Sequence, residues 1–124
     1  MEIKEKVMLN KDILILFQGL QELSVEIFPA KIAFVIARNL KVLTPIVEDI
    51  EIARFSIGRK YGVSAEAGYY IPEDKQEAAN KELQDLGNIE VDVPIIKIKI
   101  SDIENISLSA ATAAAIIPMI EEEE

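Results

Sequence analysis

An apolar line runs through the middle of the chain at Ile36, Leu40, Leu43, Val47, Ile50, Ile57 and Tyr61. Its spacings of 4, 3, 4, 3, 7 and 4 are close to the heptad rhythm by which one helix lays a seam against another. The long step passes over Arg54, between Ala53 and Phe55. Helical sequence extends around this line from Ala30 to Tyr61. Phe28-Pro29 is its entry, since proline in a first turn has no intrahelical N–H bond to lose. Pro45 interrupts the run by removing one helical hydrogen bond and crowding the carbonyl four residues back. Thr44-Pro45 also fits the cap and first position of a new helix. The apolar phase carries through the break, which favours one kinked helix over two. At 1.5 Å per residue such a helix is about 48 Å long, against ~30 Å for a small domain. The seam is therefore expected to outrun the body of its own chain, and to be covered by a second copy or another protein.

The remaining segments read as shorter elements. Residues 2–9 alternate loosely and predict a strand. Asn10 fits a helix N-cap, with Asp12 in the first turn where negative charge suits the dipole. Apolar positions Ile13, Leu16, Phe17, Leu20, Leu23 and Ile27 then predict a helix over 11–26. Gly19 inside it costs up to ~1 kcal/mol relative to alanine, which points to a close neighbour. Gly58, Gly62 and Gly68 predict a loop over 62–68, followed by a short strand at Gly68–Ile71. Pro72-Glu73-Asp74 opens another helix, and Gly87-Asn88 closes it with the left-handed cap that glycine favours. Residues 89–100 are the best strand. Their alternation slips by one residue between Ile95 and Ile96, implying a bulge or turn. Pro94 places this strand at an edge or at that irregularity. Ser107 or Ser109 caps a final helix over 108–117, whose alanines let another backbone come close. The expected fold is α+β: a long kinked helical hairpin with shorter helices and a small β-sheet, in one domain of 124 residues.

Composition narrows the chemistry. The chain has no Cys, His or Trp, which removes disulfide scaffolds, ordinary zinc sites, and Cys, His or Ser-His-Asp catalysis. No catalytic residue, cofactor or metal is expected. Glu48, Asp49 and Glu51 lie close in sequence, and Glu22 and Glu26 are one helical turn apart. In a sequence that is 28% charged such groupings read as solvated helix faces, and a metal-dependent hydrolase built on them is a minor alternative. Gly58-Arg59-Lys60-Tyr61-Gly62 lacks the spacing of a phosphate loop and reads as a basic last helical turn with a glycine end. Lys31, Arg38 and Lys41 form a small basic stripe beside the seam. Tyr61, Tyr69 and Tyr70 cluster near the predicted loop, and cover the end of the core or form a recognition patch.

The net charge is −9, and the excess acid sits in the last third of the chain. Nucleic-acid binding is therefore not expected. Glu121–Glu124 reads as a frayed acidic tail, disfavoured at a helix C-terminus by the macrodipole. The charged N-terminus carries no recognisable secretory signal, and no window is apolar enough to span a membrane. An intracellular site is expected.

The order of several segments is familiar. Lys11-Asp12-Ile13-Leu14 leads to Leu20-Gln21-Glu22-Leu23, then Phe28-Pro29-Ala30-Lys31-Ile32-Ala33-Phe34. Ile36-Ala37-Arg38-Asn39-Leu40 and Arg59-Lys60-Tyr61-Gly62 follow, then Val91-Asp92-Val93 and Ser101-Asp102-Ile103-Glu104. Together they resemble a group of small uncharacterised accessory proteins of tailed phages and prophages of low-GC bacteria. The resemblance covers most of the chain but not the Ala-rich final helix or the Glu121–Glu124 run. It implies phage origin, a place in the host cytoplasm or the virion, and an accessory role without catalysis. It assigns no site residue. The expected function is self-association or partner binding, in virion structure or assembly, with the seam as interface. The alternative is an inhibitor of a host defence or transcription protein, acting through the acidic C-terminal third.

Overall fold

A computed structural model describes residues 3–65 and 68–121. The fold is α+β. Strand β1 (Ile3–Leu9) runs directly into helix α1 (Asn10–Leu23). The long helix α2 (Ala30–Tyr61) follows, then a hairpin of β2 (Val63–Ala65) and β3 (Gly68–Tyr70). Helix α3 (Glu73–Gly87), strand β4 (Glu90–Ile96) and the short helix α4 (Ala110–Ala115) complete the order. β1 and β4 pair antiparallel from Ile3↔Ile96 to Leu9↔Glu90, as the expected sheet of N-terminal strand and residues 89–100 requires. β2 and β3 make a second two-stranded sheet, Val63 opposite Tyr70; β3 is the strand expected at Gly68–Ile71, and β2 lies where a loop was expected over 62–68. Gly68 sits there at φ +129°, a conformation open to glycine and strained for side-chain residues.

The main core is built where α1, α2, α4 and the β1–β4 sheet meet. α1 contributes Ile13, Leu16, Leu20 and Leu23, all buried at the spacing read from sequence. The helix stops at Leu23, short of residue 26. Ser24 bonds the Leu20 carbonyl through its N–H and the Gln21 carbonyl through its hydroxyl, and Ile27 is left 92% exposed. Gly19 is explained by α4. A Cβ built on it would lie 2.7 Å from the Ala115 Cβ, so glycine on one helix and alanine on the other set their approach. Ser109 caps α4 by accepting the Thr112 N–H at 3.1 Å. The buried Thr112 hydroxyl in turn donates to Glu22 on α1. Glu22 therefore ties two helices together and does not pair with Glu26, which lies beyond the end of α1.

Two buried asparagines were not read as core residues. Asn39 lies on the inward face of α2, in phase with Val35, Ile36 and Leu43. Its Oδ1 accepts the Ile96 N–H at 2.8 Å and its Nδ2 donates to the Ile96 carbonyl at 2.9 Å. The side-chain amide thus stands in for a neighbouring strand at the end of β4. Asn10 does not cap α1 with its side chain. Its N–H donates to the Ile89 carbonyl and its Nδ2 to the Leu86 carbonyl, both at 3.0 Å, fastening the β1–α1 junction to the end of α3.

α2 is one continuous helix with Pro45 inside it. Pro45 and Lys41, whose carbonyl loses its partner, both face solvent, where water satisfies the carbonyl. β4 ends at Ile96, where the alternation slips. Ile98 instead makes an isolated parallel bridge with Ile120, bonding Met119 and Glu121. The expected final helix is shorter, with a 3-10 turn at Ile117–Met119 after α4. Gly87 is the last residue of α3 and is not at positive φ, and Asn88 after it has φ −95°, so the expected left-handed glycine cap does not form. Glu121 is held by the Ile98 carbonyl, and Glu122–Glu124 lie outside the described residues.

Candidate interaction surface

The expected interface residues separate into two groups. Ile36, Leu43, Ile50 and Ile57 are buried in the single chain, and Leu40, Val47 and Tyr61 are half-buried. α2 packs on α1, α3 and β4; Asn39 meets the end of β4, while toward the C-terminal end Lys60 meets Glu82 of α3 and Ile57 shares a pocket with Leu83. This corrects the length argument. A helix longer than the body does outrun the main core, but the chain turns α3 back along the overhang. Ala79 of α3 is fully buried there, and its single methyl lets α3 approach closely. The weak apolar face of α3 concealed this role in the sequence. A ridge so covered is not a free docking stripe.

The tip of α2 is finished by Tyr69. Its ring lies 3.5 Å from where a Cβ on Gly58 would be, and its Cβ 2.8 Å from where one on Gly62 would be. The two glycines therefore clear a seat for the β2–β3 hairpin, which the sequence offered only as a helix end. Lys60 pairs with Glu82 of α3 at 3.2 Å and lies 5.1 Å from the Tyr61 ring centre. Tyr61 and Lys60 together hold the Glu82 carboxyl below its ordinary range.

Other apolar side chains at this end stay uncovered. Phe55 is 57% exposed and packs edge-to-face on Tyr69, with ring centres 5.3 Å apart. Ile52, one turn before Phe55, is also exposed. Across the hairpin, Val63 and Tyr70 stand directly opposite each other and are both exposed, Tyr70 at 61%. Of the three tyrosines, Tyr69 covers the helix end and Tyr70 faces out. Ile52, Phe55 and Tyr69 thus lie on the helix side of the tip, and Val63 and Tyr70 on the outer face of the hairpin. The signal for it was present in the sequence: Ile52 and Phe55 lie off the seam phase, so both cannot face the same core.

The acidic candidates do not converge. Glu48, Asp49 and Glu51 are exposed on α2, and Glu51 pairs with Arg54 at 3.0 Å. Asp102, in the acidic third, accepts the Lys99 N–H at 3.0 Å and so stabilises its own turn. Glu104 lies beside an apolar groove of about 710 Å³ whose lining includes Ile100, Ile103, Leu108 and Ile117. Among the described residues, no helix is long and apolar enough to cross a membrane. Comparison with family models, curated proteins and solved structures finds no match.

Proposed function

We propose that this chain is a non-enzymatic accessory protein of phage origin that acts by self-association or by binding another protein. The observation that carries the binding role is the exposed tip formed by Ile52, Phe55, Val63, Tyr69 and Tyr70. Exposed apolar and aromatic side chains gathered at one end of a small fold mark contact sites more often than scattered exposed residues do. The contact lies at the tip, and the buried part of the seam serves the chain's own packing. The lack of His and Cys supports a role without catalysis, and the segment resemblance supports the phage setting.

The test is light scattering across a dilution series, with Phe55→Asp and Tyr70→Asp as variants. Wild-type chain is expected to associate with itself or with a protein of purified virions, and each variant to lose that contact while melting normally. Wild-type chain that stays monomeric and is absent from virions contradicts the reading.

A further inference from the structure

We propose that the outer edge of β1 docks an extended, acidic segment of another protein as an added strand. The proposal rests on the protein-binding reading above and adds to it a second surface and a class of partner.

In an antiparallel pair, residues alternate between those bonded to the partner strand and those whose backbone groups face away. Two contacts fix this alternation. Asn10 N–H meets the Ile89 carbonyl, and Ile96 N–H turns away from β1 to Asn39. With the register Ile3↔Ile96 to Leu9↔Glu90, Lys4, Lys6 and Met8 bond to β4. Ile3, Glu5, Val7 and Leu9 therefore turn their N–H and C=O groups outward.

The two edges of this sheet are treated differently. On β4 the outward positions include Pro94, which has no N–H to offer, and Ile96, whose two backbone groups are both taken by Asn39. On β1, among the described residues, no hydrogen bond reaches the outward backbone groups of Glu5 or Val7. Val7 is also 58% exposed. An unpaired edge of this kind is a template for strand addition.

A groove of about 620 Å³ runs beside this edge. Its lining takes in the consecutive residues Lys6, Val7, Met8 and Leu9. Their side chains alternate between the faces of the sheet, so the groove follows the edge itself. Asp12 and Ile15 of α1, Glu90 of β4, Pro118 and the alanine face of α4 form the rest of the wall, with the two carboxylates at the Leu9 end, away from the lysines at the Ile3 end. Methyl side chains leave room for a backbone at the inter-strand distance of about 4.8 Å.

Charge selects the occupant. Lys4 and Lys6 flank Glu5 on β1, and Lys4 also lines a pocket of about 250 Å³ with Lys31, Lys97 and Lys99. Asp102 lies in that pocket with its carboxylate already bonded to Lys99 N–H, and Glu121 is the other acid there. Five of the chain's 13 basic residues thus gather at one end of the sheet, in a chain of net charge −9. A second copy of β1 uses this edge less fully: twofold pairings centred on Lys6 or Glu5 set like charges directly opposite, which is destabilising, and one centred on Val7 pairs only Glu5–Leu9 and leaves Lys4 and the lysine end of the edge without a partner. An extended segment with acidic side chains toward the lysines meets both the backbone and the charge.

The test uses the full chain and a fluorescein-labelled, end-capped heptapeptide alternating valine and glutamate, followed by anisotropy. A peptide with lysine in place of glutamate is the control. The glutamate peptide is expected to bind at least about tenfold more tightly than the lysine peptide. Val7→Pro is expected to weaken it by at least about tenfold, because proline removes an outward donor. Val7 makes no backbone bond to β4, so an unchanged melting temperature marks the variant as folded. Lys4→Glu with Lys6→Glu, which leaves the backbone intact, is expected to reverse the charge preference. Binding insensitive to Val7→Pro, or no binding of either peptide, overturns the proposal. A dimer that Val7→Pro converts to monomer makes a second copy the occupant and also overturns it. These arms read the β1 edge alone, and light scattering of Phe55→Asp reads the tip, so either result can fail without the other.

Discussion

The two ends of α2 solve the same burial problem with different materials. The N-terminal half is packed against α1 and β4 by large branched side chains, with Leu43 fully buried and Asn39 bonded on both sides of its amide. The C-terminal half has a 15-residue helix, α3, whose one buried residue is Ala79, plus a small hairpin seated on two glycines. Ile57 is 9% exposed and lies outside the continuous hydrophobic cluster. One half is held by volume and the other by close approach. The same seam rhythm served both, so periodicity reports that a face is covered and not what covers it.

The largest expected effect is in the first half. Leu43→Ala and Leu20→Ala should each cost about 2–5 kcal/mol, the usual range for emptying a packed site. Ile57→Ala at the thinner end should cost clearly less, and equal losses in denaturant titrations would dissolve the contrast. Asn39→Ala comes next. It leaves two buried backbone groups of Ile96 without partners, at about 1–3 kcal/mol each.

Gly19→Ala sharpens the close-approach argument within the core. Helix propensity alone favours alanine by up to ~1 kcal/mol. The 2.7 Å approach to Ala115 should reverse that sign, with overpacking costs of about 1–3 kcal/mol. Ala115→Gly in the same chain should recover part of the loss in a double-mutant cycle.

The smallest expected effect lies at the thin end. Glu82 has its carboxyl lowered by the Tyr61 hydroxyl and the Lys60 ammonium. A lowered carboxylate contributes stability above its ordinary value of 4.5 and loses it as pH falls through the folded value. Glu82 is half-buried but its partner Lys60 is exposed, so the contribution is small and weakens with salt. Melting temperatures measured through that acid range should fall slightly less in Glu82→Gln than in wild type.

Much of the architecture was legible because it follows from local pattern. The phase of Ile13, Leu16, Leu20 and Leu23 gave α1, and the alternation of residues 89–95 gave β4. Gly19 and the alanines of α4 each announced a close neighbour, and they proved to be each other's. The rest depends on contacts distant in sequence. Asn39 sits in an apolar phase, which hinted at burial, but its partner is 57 residues away. The seam's covering was misread because α3 brings a small residue to the interface, and hydrophobic pattern registers large ones. Of the hairpin, β3 was read as a short strand, but β2 was read as part of a loop, because its three residues are too few for alternation to register. The open edge of β1 emerges only once β4 is known to be its single neighbour.

The central claim is that the lone chain covers its own α2 seam and leaves Ile52 and Phe55 outside. The sequence has no cysteine, so single cysteine variants report coverage directly. Ile50→Cys and Phe55→Cys, held at a concentration where light scattering shows monomer, would be reacted with a thiol reagent under native conditions. The account expects immediate labelling at position 55, and protection at position 50 until the chain unfolds. Equal, rapid labelling at both positions in a folded monomer would contradict it.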